Sequence, residues 1–335
     1  MASTAKKSRI TKHKKQTRPL DSVEEEPSRV KDPGGYRFGI ELEFLMSAKG
    51  SDNQLQTGES LRQHLVQKWN QKMKNELGFI PMESGYSTPG YAKWRLVSEF
   101  PLENYSQGKW PLEIVSPIFY YRDIDNWQKC IFLVVGFFVN HAELEMSKEC
   151  AFHIHVSPAE GEWDLVWLKR ISMAICVLEE RLNGVHSIDK RVQEKFCRSN
   201  FQSNPLLQER SREKLASSIY DCKTVEELVD IINANPGEDG QRSYAWNFTG
   251  ISTDEKHTRR QNNTLEYRIP RATTEMTTII KWIVFAVTFV HASVTGVEST
   301  YQDAENDPDG VDGFLMENRP PGGTDSLCWE CYKAV

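Results

Sequence analysis

Four short segments place acids, imidazoles and a guanidinium at two-residue spacing: FGIELEF from Phe38, LEIV from Leu112, FHIHV from Phe152 and LEYRI from Leu265. In an extended strand, side chains alternate between faces, and residues two apart stand side by side, roughly 6–7 Å apart. Glu41 and Glu43 therefore share one face, opposite Phe38, Ile40, Leu42 and Phe44. Leu112 and Ile114 flank Glu113, and His153 and His155 oppose Phe152, Ile154 and Val156. Glu266 and Arg268 oppose Leu265, Tyr267 and Ile269. One such dyad is common on a solvent-facing strand. Four in one chain point to chemistry, provided that the strands pair in one sheet.

Gathered on one face, Glu41, Glu43, Glu113 and Glu266 would repel, and their pKa values would rise unless cations were supplied. Mg²⁺ or Mn²⁺ bound by carboxylate oxygens meets that need, and a neutral imidazole suits Mn²⁺. Arg268 adds a planar fork that matches a phosphate. Carboxylates, a divalent metal and an arginine together describe phosphoryl transfer, where positioning and charge neutralisation supply most of the catalysis. With these residues on a solvent face, Glu43→Ala or Glu266→Ala should end metal-dependent turnover and leave the fold intact.

The elements that position these residues follow from periodicity. Strands are expected at 38–46, 91–99, 111–116, 151–157, Tyr244–Phe248 and Thr264–Pro270. Leu61, Leu65, Trp69, Met73 and Leu77 recur every four residues, which predicts a helix over 60–77 stopped by Gly78. Further helices are expected over 125–145, Trp163–Asn183, 206–233 (in two pieces, with Thr224 and Glu227 as a capping box) and 275–293. Strands and helices alternate without a clean βαβ rhythm, and no glycine-rich phosphate loop follows a strand. The expected class is α+β, a mainly antiparallel sheet with helices on one face.

The chain of 335 residues is 39% hydrophobic and 26% charged, a globular composition. Seven of its 41 Lys/Arg lie in residues 1–20, which hold no acid, so 34 bases face 47 acids in the remainder. An acidic body argues against nucleic acid as the principal partner. Residues 1–35 read as a disordered basic arm, 36–298 as the catalytic domain and 299–335 as a flexible Asp/Pro/Gly-rich tail. The arm could also serve as a nuclear-import or phosphate-binding patch. The N-terminus lacks an apolar signal region, and the apolar runs Cys130–Val139 and Ile279–Val290 are too short to span a bilayer. A cytoplasmic location without membrane partners is expected, and nothing specifies an oligomeric state. Seven cysteines at irregular spacing make no disulfide framework, and Cys328-x-x-Cys331 is weak evidence for a metal site.

FGIELEF, LEIVSPIF, CAFHIHVS, YAWNF and TLEYR, in that order over about residues 36–293, resemble the amidoligases of the glutamine synthetase-like carboxylate–amine ligase superfamily. The resemblance implies a curved antiparallel sheet whose concave face binds ATP and Mg²⁺, with helices on the convex face. It implies an enzyme that activates a small-molecule or peptide carboxylate as an acyl phosphate, which an amine attacks to form an amide. Carried across by motif, Glu41, Glu43, Glu113 and Glu266 are metal ligands, and His153 or His155 contacts metal or the γ-phosphate. Arg268 holds the phosphates, and Asn247 is a site-facing residue. Similar sequences continue after Glu-x-Arg with polar residues, whereas this chain reads Ile269-Pro270-Arg271. Proline removes a backbone donor and should end the strand ladder, leaving Arg271 as a substitute anion contact or a surface charge.

Two rival readings stand beside the ligase. His153-x-His155 followed by Glu160 mimics the metal triad of a cupin-like oxygenase, although the helical period from Trp163 leaves no room for the next short strand. The other rival is a non-catalytic binding module on the same fold.

Overall fold

The computed structural model describes residues 33–50, 57–86, 90–98, 108–185, 197–234, 241–257, 262–296 and 310–321. In chain order the first elements are β1 (Tyr36–Ala48), α1 (Gly58–Lys72), β2 (Met82–Ser84), β3 (Trp94–Ser98), β4 (Trp110–Val115), β5 (Phe119–Tyr120), α2 (Ile124–His141) and β6 (Ala142–Glu145). They are followed by β7 (Phe152–Pro158), α3 (Leu165–Val185), α4 (Arg212–Tyr220), α5 (Val225–Ile232), β8 (Trp246–Asn247), β9 (Leu265–Tyr267), α6 (Met276–Thr295) and α7 (Gly310–Glu317). The fold is mixed α+β with an open, mostly antiparallel sheet and seven α-helices among the described residues.

β1 organises the sheet. The strand order is β2-β3-β4-β1-β7-β9-β8, with β5 and β6 also paired to β1. Only β2 and β3 run parallel among these pairs. The four strands singled out by alternation are consecutive neighbours: β4, β1, β7, β9. One apolar row runs Leu96, Ile114, Leu42, Phe152 across the sheet, and another runs Ile40, Ile154, Tyr267, Trp246. Helices cover this side. Trp127 of α2 meets Phe38 edge-on at 5.3 Å, and Trp69 of α1 meets Phe137 of α2 at 5.2 Å. Phe289 of α6 stacks on Trp246 at 5.2 Å. Fully burying one such side chain contributes about 1.5–3 kcal/mol.

Several boundaries differ from the periodic reading. α1 stops at Lys72, and Leu77 is 77% exposed despite its spacing. The chain doubles back instead, so that Trp69 Nε1 donates to Ile80 O at 2.9 Å and Phe79 packs on the indole. α2 ends four residues early because Ala142–Glu145 pairs with the end of β1, from Ala48↔Ala142 to Leu45↔Glu145. Between Tyr244 and Phe248 only Trp246–Asn247 is strand, set between two 3₁₀ turns. Thr224 caps α5 by accepting from Glu227 N, but Glu227 reaches back to Lys223 N rather than to the cap residue's own amide.

Pro270 does not end pairing. Strand β9 stops at Tyr267, yet Phe152 N donates to Pro270 O at 2.9 Å and Ala151 bridges Arg271. Proline lacks a donor but keeps its acceptor, and here the acceptor is what β7 uses.

α6 is long and apolar enough to cross a membrane by length and composition alone, but most of it is buried among the other elements as a core helix. Within the stretch expected as a tail, α7 buries Val311, Phe314 and Leu315 and packs on α6 and α3. The arm before residue 33 and the Cys328/Cys331 pair lie outside the described residues. Five cysteines within them are free and buried.

Candidate active site

The register turns four linear motifs into a grid. Glu43 stands opposite Glu113, Glu41 opposite His153, His155 opposite Glu266, and Glu266 opposite Asn247. β1, β7 and β9 sit side by side, so Glu41, His153, His155 and Glu266 converge on one patch. The sheet face that carries them was expected to meet solvent. It does not: Glu43 is 6% exposed, Glu113 5%, His153 4% and Glu266 3%. Ordinary solvated strand positions do not bury four ionisable groups together, because each charge must then be paired or bonded.

His153 Nδ1 lies 3.3 Å from Glu41 Oε2, 3.4 Å from Glu266 Oε1 and 3.7 Å from Glu43 Oε1. His155 Nε2 lies 3.3 Å from Glu41 Oε1 and 3.9 Å from Glu266 Oε1. Arg268, just past the end of β9, pairs with Glu266 through Nη1. Asn247 Nδ2 donates to Glu266 Oε2 at 2.6 Å, while its Oδ1 accepts from Thr249 N and Oγ1. Asn247 thus orients Glu266 with its amide already engaged, rather than offering that amide to a ligand.

The charges are interlocked. Burial pushes the Glu266 carboxyl up, but Arg268, His155 and His153 outweigh it and hold the group at about 2. Glu41 likewise sits well below the usual carboxylate range, as His155 and His153 overcome the cost of burial. His155 is raised: burial alone would lower it, and the charges of Glu41 and Glu266 win. The carboxylates make the patch electronegative, and Arg268 stands paired within it.

Donor chemistry and geometry both fit a divalent cation. Glu41, His155 and Glu266 offer ligand atoms within 4.8 Å of one another, and so do Glu41, Glu113 and His153. Carboxylate oxygens with one imidazole suit Mg²⁺ or Mn²⁺. His155 Nδ1 is fixed by Thr264 Oγ1 at 2.9 Å, the usual way in which a metal-binding imidazole is oriented from behind. Its Nε2, aimed at the carboxylates, is buried with no hydrogen-bond partner.

Glu43 stands outside both donor groups. Its Oε2 accepts from Ala151 N at 2.8 Å, which clips the start of β7 to β1. Glu160 lies exposed in the turn after β7 and belongs to neither group, and a helix follows it, so the oxygenase triad does not assemble. Arg271 is placed beside Ala151 by the bridge between them.

Matching this chain against protein families gives a hit to a model described as "Putative amidoligase enzyme" over residues 34–290. The chain belongs to this amidoligase family. No curated protein matches it. Membership in the amidoligase family supports a ligase acting on small-molecule carboxylate and amine substrates. The match spans β1 to α6, and so includes every strand that contributes to the patch.

Periodicity missed the supports around this amidoligase-family site. Asn200 Oδ1 accepts from Trp246 N at 2.9 Å, and its Nδ2 donates to Trp246 O at 2.8 Å. Asn233 Nδ2 also donates to Trp246 O, and Phe248 N donates to Asn233 Oδ1. Glu179, buried on α3, accepts from Ser199 Oγ, Asn200 N and Phe201 N. These groups hold the two-residue β8 in place, and through Asn247 they hold Glu266. Asparagines in loops between helices carry no periodic signal, so nothing in spacing marks them.

One other cluster imitates a catalytic relay. His257 bridges Ser252 Oγ at 2.6 Å and Asp230 Oδ1 at 2.8 Å. Ser252 is completely buried, so its hydroxyl meets no substrate, and Lys256 pairs with the same Asp230. The cluster fastens a turn.

Proposed function

We propose that the chain is an ATP-dependent carboxylate–amine ligase that uses Mg²⁺ or Mn²⁺, on a curved sheet like the catalytic domain of glutamine synthetase. The observation that carries this reading is the pair of donor groups sharing Glu41, buried beside Arg268 on adjacent strands. In the proposed reaction a carboxylate oxygen attacks the γ-phosphorus of ATP and ADP leaves, giving an acyl phosphate. The amine nitrogen then attacks the acyl carbon, loses a proton and expels phosphate.

Glu41, Glu113 and His153 would hold one cation, and Glu41, His155 and Glu266 the other. Such ions neutralise charge on the phosphates during transfer. The chain's own part is to bring the groups together and keep them rigid. Arg268 presents its fork to phosphate oxygens while Glu266 braces it from one side, and Asn247 braces Glu266 in turn. The other arginine of this region, Arg271, is not needed for this role.

The test is ADP release from ATP and Mg²⁺ over pooled carboxylates and amines, followed by mass analysis of the product. One amide per ADP is the expected outcome. Release with no pair, or ADP formed without any amide, would remove the ligase assignment.

A further inference from the structure

A cleft adjoins the carboxylate–imidazole patch on the side toward the start of β1. Its volume is about 210 Å³, and it runs from Glu41 and His155 at one end to Arg37 at the other. Between them lie Gly39, Ser157, Thr264 and Tyr91. Alternation puts Arg37, Gly39 and Glu41 on the same face of β1. The register sets Arg37 opposite Ser157 and Gly39 opposite His155. Four residues of strand place Arg37 roughly 13 Å from Glu41 along the backbone.

Arg37 is the only Lys or Arg lining this cleft among the described residues. Its Nε donates to Pro158 O at 3.1 Å, and it makes no ion pair among the described residues. A guanidinium carries five N–H donors in a rigid fork, so its outer nitrogens remain for a planar anion. Tyr91, also in the lining, has a partner of its own. Tyr91 lies against the guanidinium of Arg95, 4.7 Å from ring centre to Cζ, and Arg95 Nε donates to buried Glu83 at 2.7 Å. Gly39 leaves the floor open. A Cβ added there would meet only Ser116 Oγ, at an ordinary 3.5 Å, so the backbone does not require glycine.

Size and charge narrow the occupant. At about 210 Å³ the cleft falls below the roughly 300–1,000 Å³ of pockets for drug-sized ligands, and it suits a short molecule better than a nucleoside triphosphate. Arg268 stands one residue beyond the paired Ile154↔Tyr267, level with His153 and Glu41, and so on the far side of His155 from Arg37. The two arginines therefore stand on opposite sides of His155.

We infer that this cleft is the subsite for the carboxylate substrate, and that the substrate carries a second carboxylate, as a short dicarboxylate or an acidic amino acid does. Arg37 binds the far carboxylate while the reacting one lies beside Glu41 and His155. The assignment rests on the ligase reading above, with the nucleotide on the Arg268 side.

Full-length protein with Mn²⁺ is titrated calorimetrically with glutarate, with butyrate as the singly charged counterpart, and with ATP. Glutarate should bind at least about tenfold more tightly than butyrate, and Arg37→Gln should erase that difference. Arg37→Gln should leave the Mn²⁺ and ATP titrations unchanged, and an unaltered melting temperature would show that it is folded. Gly39→Leu, which fills the cleft, should abolish glutarate binding and keep Mn²⁺ binding. Equal affinities for the two acids, binding of neither, or an Arg37→Gln variant that loses ATP rather than glutarate would each overturn the inference. Failure of the ligase reading appears in a different measurement, as absence of Mg²⁺-dependent ADP release with every carboxylate.

Discussion

At the scale of single residues, burial changes what substitutions should do. Glu43 was expected on an exposed face, where alanine is harmless to the fold. Since its carboxylate satisfies the buried Ala151 amide, Glu43→Ala should cost about 1–3 kcal/mol of stability, measured by urea unfolding. Arg268→Lys keeps the charge but loses the fork, and should lower turnover by about 10²–10³-fold with little change in stability. Mn²⁺ at about a hundred times its dissociation constant should stabilise the protein by about 2.7 kcal/mol, seen as a rise in melting temperature. Glu41→Gln, which removes a ligand common to both donor groups, should abolish that rise. The nominated residues were legible because period two is written in the residue types themselves: Phe, Ile and Val on one side, Glu, His and Arg on the other. Depth was not legible. A row of carboxylates looks the same in sequence whether it faces water or a closed patch, and only the register and the surrounding loops decide.

At the scale of elements, the site depends on pieces too short or too irregular to announce themselves. β8 is two residues long and stays in the sheet because Asn200 and Asn233 bind the backbone of Trp246. Asn200→Ala should destabilise the protein by about 1–3 kcal/mol and slow turnover, since Glu266 loses its brace. Phe289→Ala, under the same strand, should cost about 3–5 kcal/mol. Glu179 carries the pH dependence of this support. Burial raises its carboxyl above the ordinary value, against the hydrogen bonds from Ser199, Asn200 and Phe201. Its contribution is therefore greatest below the ordinary carboxylate pKa of about 4.3 and declines as pH rises through the raised folded value. Comparing unfolding free energies across that window in wild type and Glu179→Gln should show a shallower decline in the variant. The long strands and helices were read correctly as to type because their periods persist over several turns. β6 and the early end of α2 were not, since Ala142–Glu145 is set by pairing with β1 rather than by its own pattern.

At the scale of the whole molecule, the folded unit reaches further toward the C-terminus than composition indicated. Asp, Pro and Gly around α7 suggested a tail, but Phe314 and Leu315 are buried against the core. A chain cut back to residue 298 should melt several degrees lower, as about 1.5–3 kcal/mol is lost for each large apolar side chain removed from its site. Sequence distance has a further consequence. His153 and Glu41 touch across 112 residues, and Glu266 comes from β9, the last strand in chain order among the described residues. Contacts of such long range form late and slowly. The donor set is then complete only when the sheet is complete, so Mn²⁺ coordination should report the final step of refolding. In a stopped-flow experiment its signal should trail the recovery of helical circular dichroism, and Mn²⁺ added at the start should slow unfolding without accelerating folding.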